Sequence, residues 1–196
     1  MRNDSLTDLC ISKTDEELVK LALKNQDYFG CIVGRYEKKL LAYIIRISGF
    51  SKEDGEDVLQ EVFIKTYVNL NSFDDKLKFS SWIYRITHNE VINNYRKKKA
   101  RPESVMDLDD EFLNNLASDL KTDGHIDMQY LRDNMKKVLV KIEPKYREVL
   151  VLRFWEDKDY SEISDILKKP MGTVATLLSR AKTNFQKEME RQNIKL

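Results

Sequence analysis

Apolar positions recur at helical spacing along most of this chain, which predicts an all-α protein built as two small helical domains. Thr14 followed by Glu17 has the form of a capping box and starts a helical pattern through about Lys24. A second pattern runs from about Asp27 to Ile47, with Ile32, Tyr36, Leu40 and Ile44 repeating every four residues. Gly49, Ser51 and Gly55 punctuate the chain before a third helix, where Leu59, Phe63, Tyr67 and Leu70 form the apolar stripe and Asp57, Gln60, Glu61 and Lys65 face elsewhere. After a short loop over 71–78, a fourth helix runs to about Lys99. These helices make one module over residues 14–101.

A second module, residues 129–191, begins with a helix to about Lys141, and Pro144 then opens a helix through about Trp155. Asp159 and Glu162 cap a short helix whose Ile163, Ile166 and Leu167 point inward. The turn over 168–171 leads into a long helix beginning at Gly172 or Thr173, with Val174, Leu177, Leu178, Ala181 and Phe185 as its core stripe. The opposite face carries Thr173, Ala175, Thr176, Ser179, Arg180, Lys182 and Thr183. A short helix, a tight turn and a long helix with a small-polar and basic outer face form a helix-turn-helix, which lays its second helix in the major groove of DNA.

The fourth helix of the first module carries the other concentration of nucleic-acid chemistry. At the helical period, Trp82, Arg85, Asn89, Asn93 and Arg96 project within an arc of about 80°, and Ile83, Tyr84, Thr87, Val91 and Tyr95 occupy a different one. One face can pack while the other reads. Arg96, Lys97, Lys98, Lys99 and Arg101 extend the readable side as a block of cations, which would neutralise phosphates and release counterions.

Composition narrows the class. The 196 residues are 41% hydrophobic and 34% charged, as in a helix-rich globular protein, and six Gly and three Pro are too few for an all-β fold with many tight turns. The net charge of +1 is the sum of basic blocks and one acidic segment. That segment lies between Pro102 and Met128, where Glu103, Asp107, Asp109, Asp110, Glu111, Asp119, Asp123 and Asp127 face only Lys121 among Lys and Arg. As a flexible coil its ends would average roughly 30 Å apart, so it reads as an acidic linker. Two roles stay open for it: a solvated tether, or a shield for a basic face with Phe112, Leu113 and Leu116 forming a short amphipathic helix.

Several classes find no support. The longest apolar run, Leu40 to Ile45, is too short to span a bilayer, so no stable membrane insertion is expected. Asp4, Asp8, Asp15, Glu16 and Glu17 occupy the place where a signal peptide would carry its apolar core. Cys10 and Cys31 are too separated from His88 and His125 to suggest a metal cage, and read as structural or incidental thiols. There is no Gly-rich phosphate loop and no nucleophile elbow. No catalytic residue, metal or cofactor is expected, and the chain is not read as an enzyme.

Two blocks of the sequence resemble a known family. EDVLQEVFIKTYVNLNSF followed by FSSWIYRITHNEVINNYRKK is similar to the second region, and DYSEISDILKKPMGTVATLLSRAK to the fourth region, of the bacterial extracytoplasmic function (ECF) sigma factors of the sigma-70 family. The blocks stand in the family's order with a variable linker between them. The resemblance implies a dissociable promoter-specificity subunit that joins core RNA polymerase in the cytoplasm, contacts promoter DNA and is held by an anti-sigma factor. It assigns Asp57, Gln60, Glu61 and Phe63 to polymerase binding, although the first three would otherwise read as an ordinary solvated face. Asn89 and Asn93 match positions that read the minus-ten element, loop residues including Asn71 and Phe73 would receive a flipped base, and Arg85 and Arg96 to Lys99 would contact phosphates. Trp82 belongs more to the core.

In the second block, Thr173, Ala175, Thr176, Ser179 and Arg180 would face the minus-35 element, with Tyr160, Ser161 and Lys182 anchoring phosphates. The sequence departs from the family at Ala175, where many relatives carry Lys or Arg. It departs again at Ser164, where alanine is common. Two other readings remain from the residues alone: a stand-alone helix-turn-helix regulator of duplex DNA, and an adaptor whose basic helix binds RNA or acidic proteins.

Overall fold

The computed structural model describes residues 10–98 and 137–194, and all regular structure among them is helical. They form two compact units, one drawn from residues 1–44 and 52–101 and the other from 45–51 and 102–196. The acidic segment over 102–128 lies outside the described residues.

In the first unit, α1 (Asp15–Ala22) starts on the expected capping box: Thr14 Oγ1 accepts from the Glu17 amide at 3.2 Å, and the Glu17 carboxylate accepts from the Thr14 amide at 2.9 Å. That amide holds the Glu17 carboxyl below its ordinary range. After a 3-10 turn, Gln26–Tyr28, helix α2 (Phe29–Ser48), whose residues 45–48 fall to the second unit, buries Ile32, Tyr36, Leu40 and Ile44, the four residues of the predicted repeat, together with Tyr43. Gly49, with φ 75°, turns the chain out of α2 in the left-handed conformation that glycine adopts without a Cβ clash.

Helix α3 (Lys52–Val68) departs from its predicted stripe. Gly55 lies inside it and is buried, and the core positions are Val58, Leu59, Val62 and Thr66. Phe63 is half-buried and Tyr67 exposed, because both rings pack edge-on against Phe29 at 6.5 and 5.1 Å at the margin of the core. Burial of Thr66 is possible because its hydroxyl donates to the Val62 carbonyl at 2.7 Å. A 3-10 turn, Leu70–Ser72, and a loop lead into α4 (Phe79–Lys98).

The start of α4 is fixed by rings. Phe79 is fully buried, with Tyr36, Phe73 and Trp82 centroids at 5.8, 5.4 and 5.6 Å, and Phe73 meets Trp82 at 5.6 Å. Farther along, Tyr84 packs on Tyr43 at 5.0 Å, while Ile83, Thr87 and Val91 continue the buried face. The first amide of α4 has a partner from α1, as Phe79 N–H donates to the Glu16 carboxylate at 3.0 Å.

In the second unit, α5 (Pro144–Leu150) opens with proline at its first position and continues through a π-helical turn, Val151–Trp155. Helix α6 (Tyr160–Leu167) is capped by a second box, Glu162 N–H to Asp159 Oδ1 at 2.8 Å and Asp159 N–H to the Glu162 carboxylate at 3.1 Å. Lys168 then takes the left-handed conformation, φ 52°, and α7 (Met171–Arg191) follows Pro170. Of the predicted stripe, Val174, Leu178, Ala181 and Phe185 are buried and Leu177 is half-buried, with Met189 extending it. Arg147 is 6% exposed; its guanidinium donates to the carbonyls of Leu139, Val140 and Ile142 at 3.0, 2.9 and 3.2 Å. It closes the end of the helical segment at 137–141.

Arg147→Met should lower stability in urea unfolding by about 2–4 kcal/mol, since buried carbonyls lose a charged donor that methionine cannot replace. A change below about 1 kcal/mol would show that these carbonyls are solvated. Glu16→Ala should cost about 1 kcal/mol by removing an N-terminal acceptor from α4. No measurable change would mean that water satisfies the Phe79 amide equally well.

Candidate nucleic-acid interfaces

On α4 the packing decides which side chains face outward. Trp82, Ile83, Tyr84, Thr87 and Val91 are buried, which leaves Asn89, Asn93 and Arg96 exposed and Arg85 half-buried on the other side. Trp82 therefore leaves the predicted readable face and belongs to the ring cluster. Lys97 and Lys98 lie in the last turn of α4, and Lys99 and Arg101 lie outside the described residues.

The loop ahead of α4 is internally braced. Asn71 is exposed on the 3-10 turn, whose Ser72 hydroxyl donates to the Asn69 carbonyl at 2.7 Å. Asp74 accepts from the Lys76 amide at 3.0 Å through its carboxylate and from the Leu77 amide at 3.0 Å through its carbonyl. Phe73 is half-buried, with one edge engaged by Phe79 and Trp82. The loop thus offers polar groups on a platform set by the aromatic core.

A buried carboxylate lies just behind the exposed amides. Glu90 is 3% exposed, accepts from the Lys65 ammonium of α3, and takes a further bond from Asn94 Nδ2 at 3.2 Å. Lys65 stays at the surface, its side chain 44% exposed, and turns its ammonium onto Glu90. It ties α3 to α4, so the helix bearing Asp57, Gln60 and Glu61 and the helix bearing Asn89 and Asn93 share an ion pair. Sequence reasoning missed this pair because its members are 25 residues apart and each reads alone as an ordinary surface charge.

The outer face of α3 holds Asp57, Gln60 and Glu61, all exposed. Ile64 and Val68, 57% and 69% exposed, continue the same face at helical spacing. An acidic stripe that runs into two exposed branched aliphatics is unlike a purely solvated face, which would carry charge throughout.

In the second unit, Thr173, Ala175, Thr176, Ser179 and Arg180 are exposed along α7, and Lys182 is half-buried. Thr176 donates to the Gly172 carbonyl at 2.8 Å, leaving its methyl and the oxygen's acceptor capacity facing out. Ala175 adds a second small methyl-bearing position. Tyr160 and Ser161 are exposed in the first turn of α6. The turn between α6 and α7 is held by Ser164, whose hydroxyl donates to the Lys169 carbonyl at 2.6 Å while its own carbonyl accepts from the Lys169 amide at 3.2 Å. Serine here is more than a small residue that permits close packing, because an alanine could not make the side-chain bond.

Residues 32–101 match Sigma-70 region 2, and residues 132–184 match Sigma-70, region 4. The ECF RNA polymerase sigma factor SigW of Bacillus subtilis is 33% identical over 186 residues, spanning 89% of this chain and 98% of that protein. The ECF RNA polymerase sigma-E factor of Escherichia coli is 29% identical over 184 residues, 90% of this chain and 95% of that protein. In fold, the chain is similar to CnrH, solved in complex with the cytosolic domain of CnrY, with TM-score 0.65 and 23% identity over 91% of this chain and 99% of CnrH. It is also similar to the sigma factor RpoE of Bartonella quintana, solved with the anti-sigma factor NepR, with TM-score 0.62 and 22% identity over 83% and 96% of the two chains. The sequence match over nearly the full length of SigW, with both regions in order on two helical units, places the chain among the ECF sigma factors of the sigma-70 family, promoter-specificity subunits of RNA polymerase.

Proposed function

We propose that the first module, residues 14–101, docks on core RNA polymerase through α3 and reads and opens the minus-ten element through α4 and its preceding loop. The second module, residues 129–191, reads the minus-35 element through α7, and 102–128 links the two. The reading is supported above all by the division of α4: one face is sealed in the aromatic core, and the other exposes two asparagines, about three and four turns along the helix from the polar loop at its start. Amide side chains can bond the edge of an unpaired base, and a structured loop can hold it out of the stack.

On this reading Asn89, Asn93, Asn71 and Phe73 meet the opened strand. Arg85, Arg96, Lys97, Lys98 and Lys99 contact phosphates, which supply affinity without sequence information. Asp57, Gln60, Glu61 and Phe63 face polymerase, with Ile64 and Val68 adding apolar area. Along α7, Thr173, Ala175, Thr176, Ser179 and Arg180 meet base edges, and Tyr160, Ser161 and Lys182 anchor the backbone. With methyl groups at 175 and 176, the preferred site would include thymines where an arginine would select guanine. A linker of this length makes the two contacts cooperative, with effective concentrations of order mM.

The chain needs no cofactor or metal in this role and performs no chemistry of its own, since polymerase adds the nucleotides. It acts in the cytoplasm; among the described residues no helix is long and apolar enough to cross a membrane. An anti-sigma partner completes the proposal, supported by the similarity in fold to an RpoE solved with an anti-sigma factor.

Asn89→Ala should reduce open-complex formation on a cognate promoter by about tenfold, the scale of one lost base contact. Unchanged opening would remove Asn89 from the reading face. Arg180→Ala should weaken binding to a matched distal element by about 1–3 kcal/mol more than to a scrambled one. Equal losses on the two would reassign Arg180 to phosphate.

A further inference from the structure

The two cysteines are bonded to each other. Cys10, on a helical turn at 10–12, and Cys31, in the first turns of α2, are 21 residues apart in sequence with Cα atoms at 5.2 Å, and they form a disulfide. The reading of structural or incidental thiols is corrected here. No sequence signal separates such a pair from two incidental thiols, because only the folded path of residues 10–14 across α2 brings them together.

Around this bond lies a second, non-covalent clasp. The Arg35 guanidinium donates to the carbonyls of Cys10 and Lys13 and to the Asp15 carboxylate, which also accepts from the Tyr36 phenol. Burial, then the bond to Asp15, pushes the Tyr36 phenol well above its ordinary range, so it remains a donor. With the disulfide open, these contacts alone would hold residues 10–14 against α2, more loosely than the bond does. The bond is approachable from the Cys10 side, Cys10 being half-buried and Cys31 5% exposed. Both cysteines line a surface pocket with Lys13, Lys39, Gly30 and Gly34, and a Cβ placed on either glycine would meet nothing within 4 Å. Positive charge at that rim, from Lys39 and from Lys13, which also pairs with Glu17, would attract a carboxylate-bearing thiol or disulfide.

We propose that Cys10 and Cys31 are a reversible thiol–disulfide exchange site for a low-molecular-weight, carboxylate-bearing disulfide, and that the bond sets how tightly α1 is held. In the oxidising direction one cysteine thiolate attacks the small disulfide RSSR, forming a mixed disulfide and expelling RS⁻. The second cysteine thiolate then displaces the remaining RS⁻ and closes the protein bond. The protein gives up two electrons and two protons, and RSSR becomes two RSH. The reverse needs only two RSH. In the cytoplasmic location proposed above such bonds are uncommon, and those that occur are mainly transient or redox-sensing.

The consequence travels along α1. Asp15, its first residue, is gripped by Arg35 and Tyr36; Glu16 caps Phe79 at the start of α4; and Lys20 pairs with Asp75 of the preceding loop at 3.5 Å. Loosening residues 10–14 therefore loosens the helix that holds both the reading helix and its loop. The link to promoter opening and the expectation that the bond is transient rest on the function proposed above, whereas the exchange chemistry and the loosening do not.

The test equilibrates the full chain with glutathione and glutathione disulfide at graded ratios, traps thiols with a maleimide, and records hydrogen exchange of the oxidised and reduced forms. We expect one two-electron transition within a monomer, and α1 amides together with Phe79 N–H exchanging about tenfold faster when reduced, while α7 amides do not change. Cys10→Ser should match the reduced form at both extremes of the ratio. Two thiols that stay reduced at every ratio, a bond that forms only between chains, or identical exchange of α1 in both forms would overturn the proposal. Because no polymerase or promoter is present, failure here is distinct from failure of the promoter-reading assignment.

Discussion

Burial of the Phe79 ring among Tyr36, Phe73 and Trp82 is the constraint on which the first unit's surface depends. Four large rings leave α4 little freedom to rotate about its axis, because a turn of one residue would swing Trp82 into water and drive a polar side chain into the core. Once that rotation is fixed, helical geometry alone carries Asn89 and Asn93 to the outside. The Lys65–Glu90 pair adds a second fixed point farther along, and the Glu16 carboxylate a third at the first amide. Exposure of the amides is thus a result of packing behind them, and the surface proposed to hold an unpaired base gains from such a rigid backing.

The second unit reaches a similar end by polar means. Arg147 satisfies three carbonyls in a place where no water-facing route is needed, the Asp159–Glu162 box begins α6, and Ser164 bridges the turn into α7. Each of these fixes an entry or an exit of a helix. Together they orient α7 so that a continuous apolar stripe from Val174 to Met189 faces inward and the small, polar and basic residues face out. Methyl-bearing positions at 175 and 176 then make the outer face of α7 less cationic at its start than a Lys or Arg there would.

Much of this was legible in the sequence, for physical reasons that also explain the failures. The α2 repeat, the Thr14–Glu17 box and the α7 stripe are local patterns, so periodicity and capping rules reach them directly. The α3 stripe slipped because Phe63 and Tyr67 are large and apolar enough to dominate a pattern, yet they settle at its margin against Phe29 while Thr66 goes inside with its hydroxyl bonded. Glu90, Arg147 and the Cys10–Cys31 bond were out of reach for a common reason: each depends on partners that chain folding supplies and that no spacing announces. The faces proposed to read DNA followed from helical phase, whereas the ion pair coupling α3 to α4 did not.

As a sigma factor, this chain gives polymerase its choice of promoter. The most direct measurement adds the purified protein to core RNA polymerase with fragmented DNA from the source genome and maps the 5′ ends of the transcripts. Discrete starts should appear that share two upstream elements, at a spacing common to all of them, and that vanish when the protein is omitted. Transcription unchanged by the protein, alongside tight binding of the protein alone to duplex DNA, would contradict it and assign the helix-turn-helix to a stand-alone regulator.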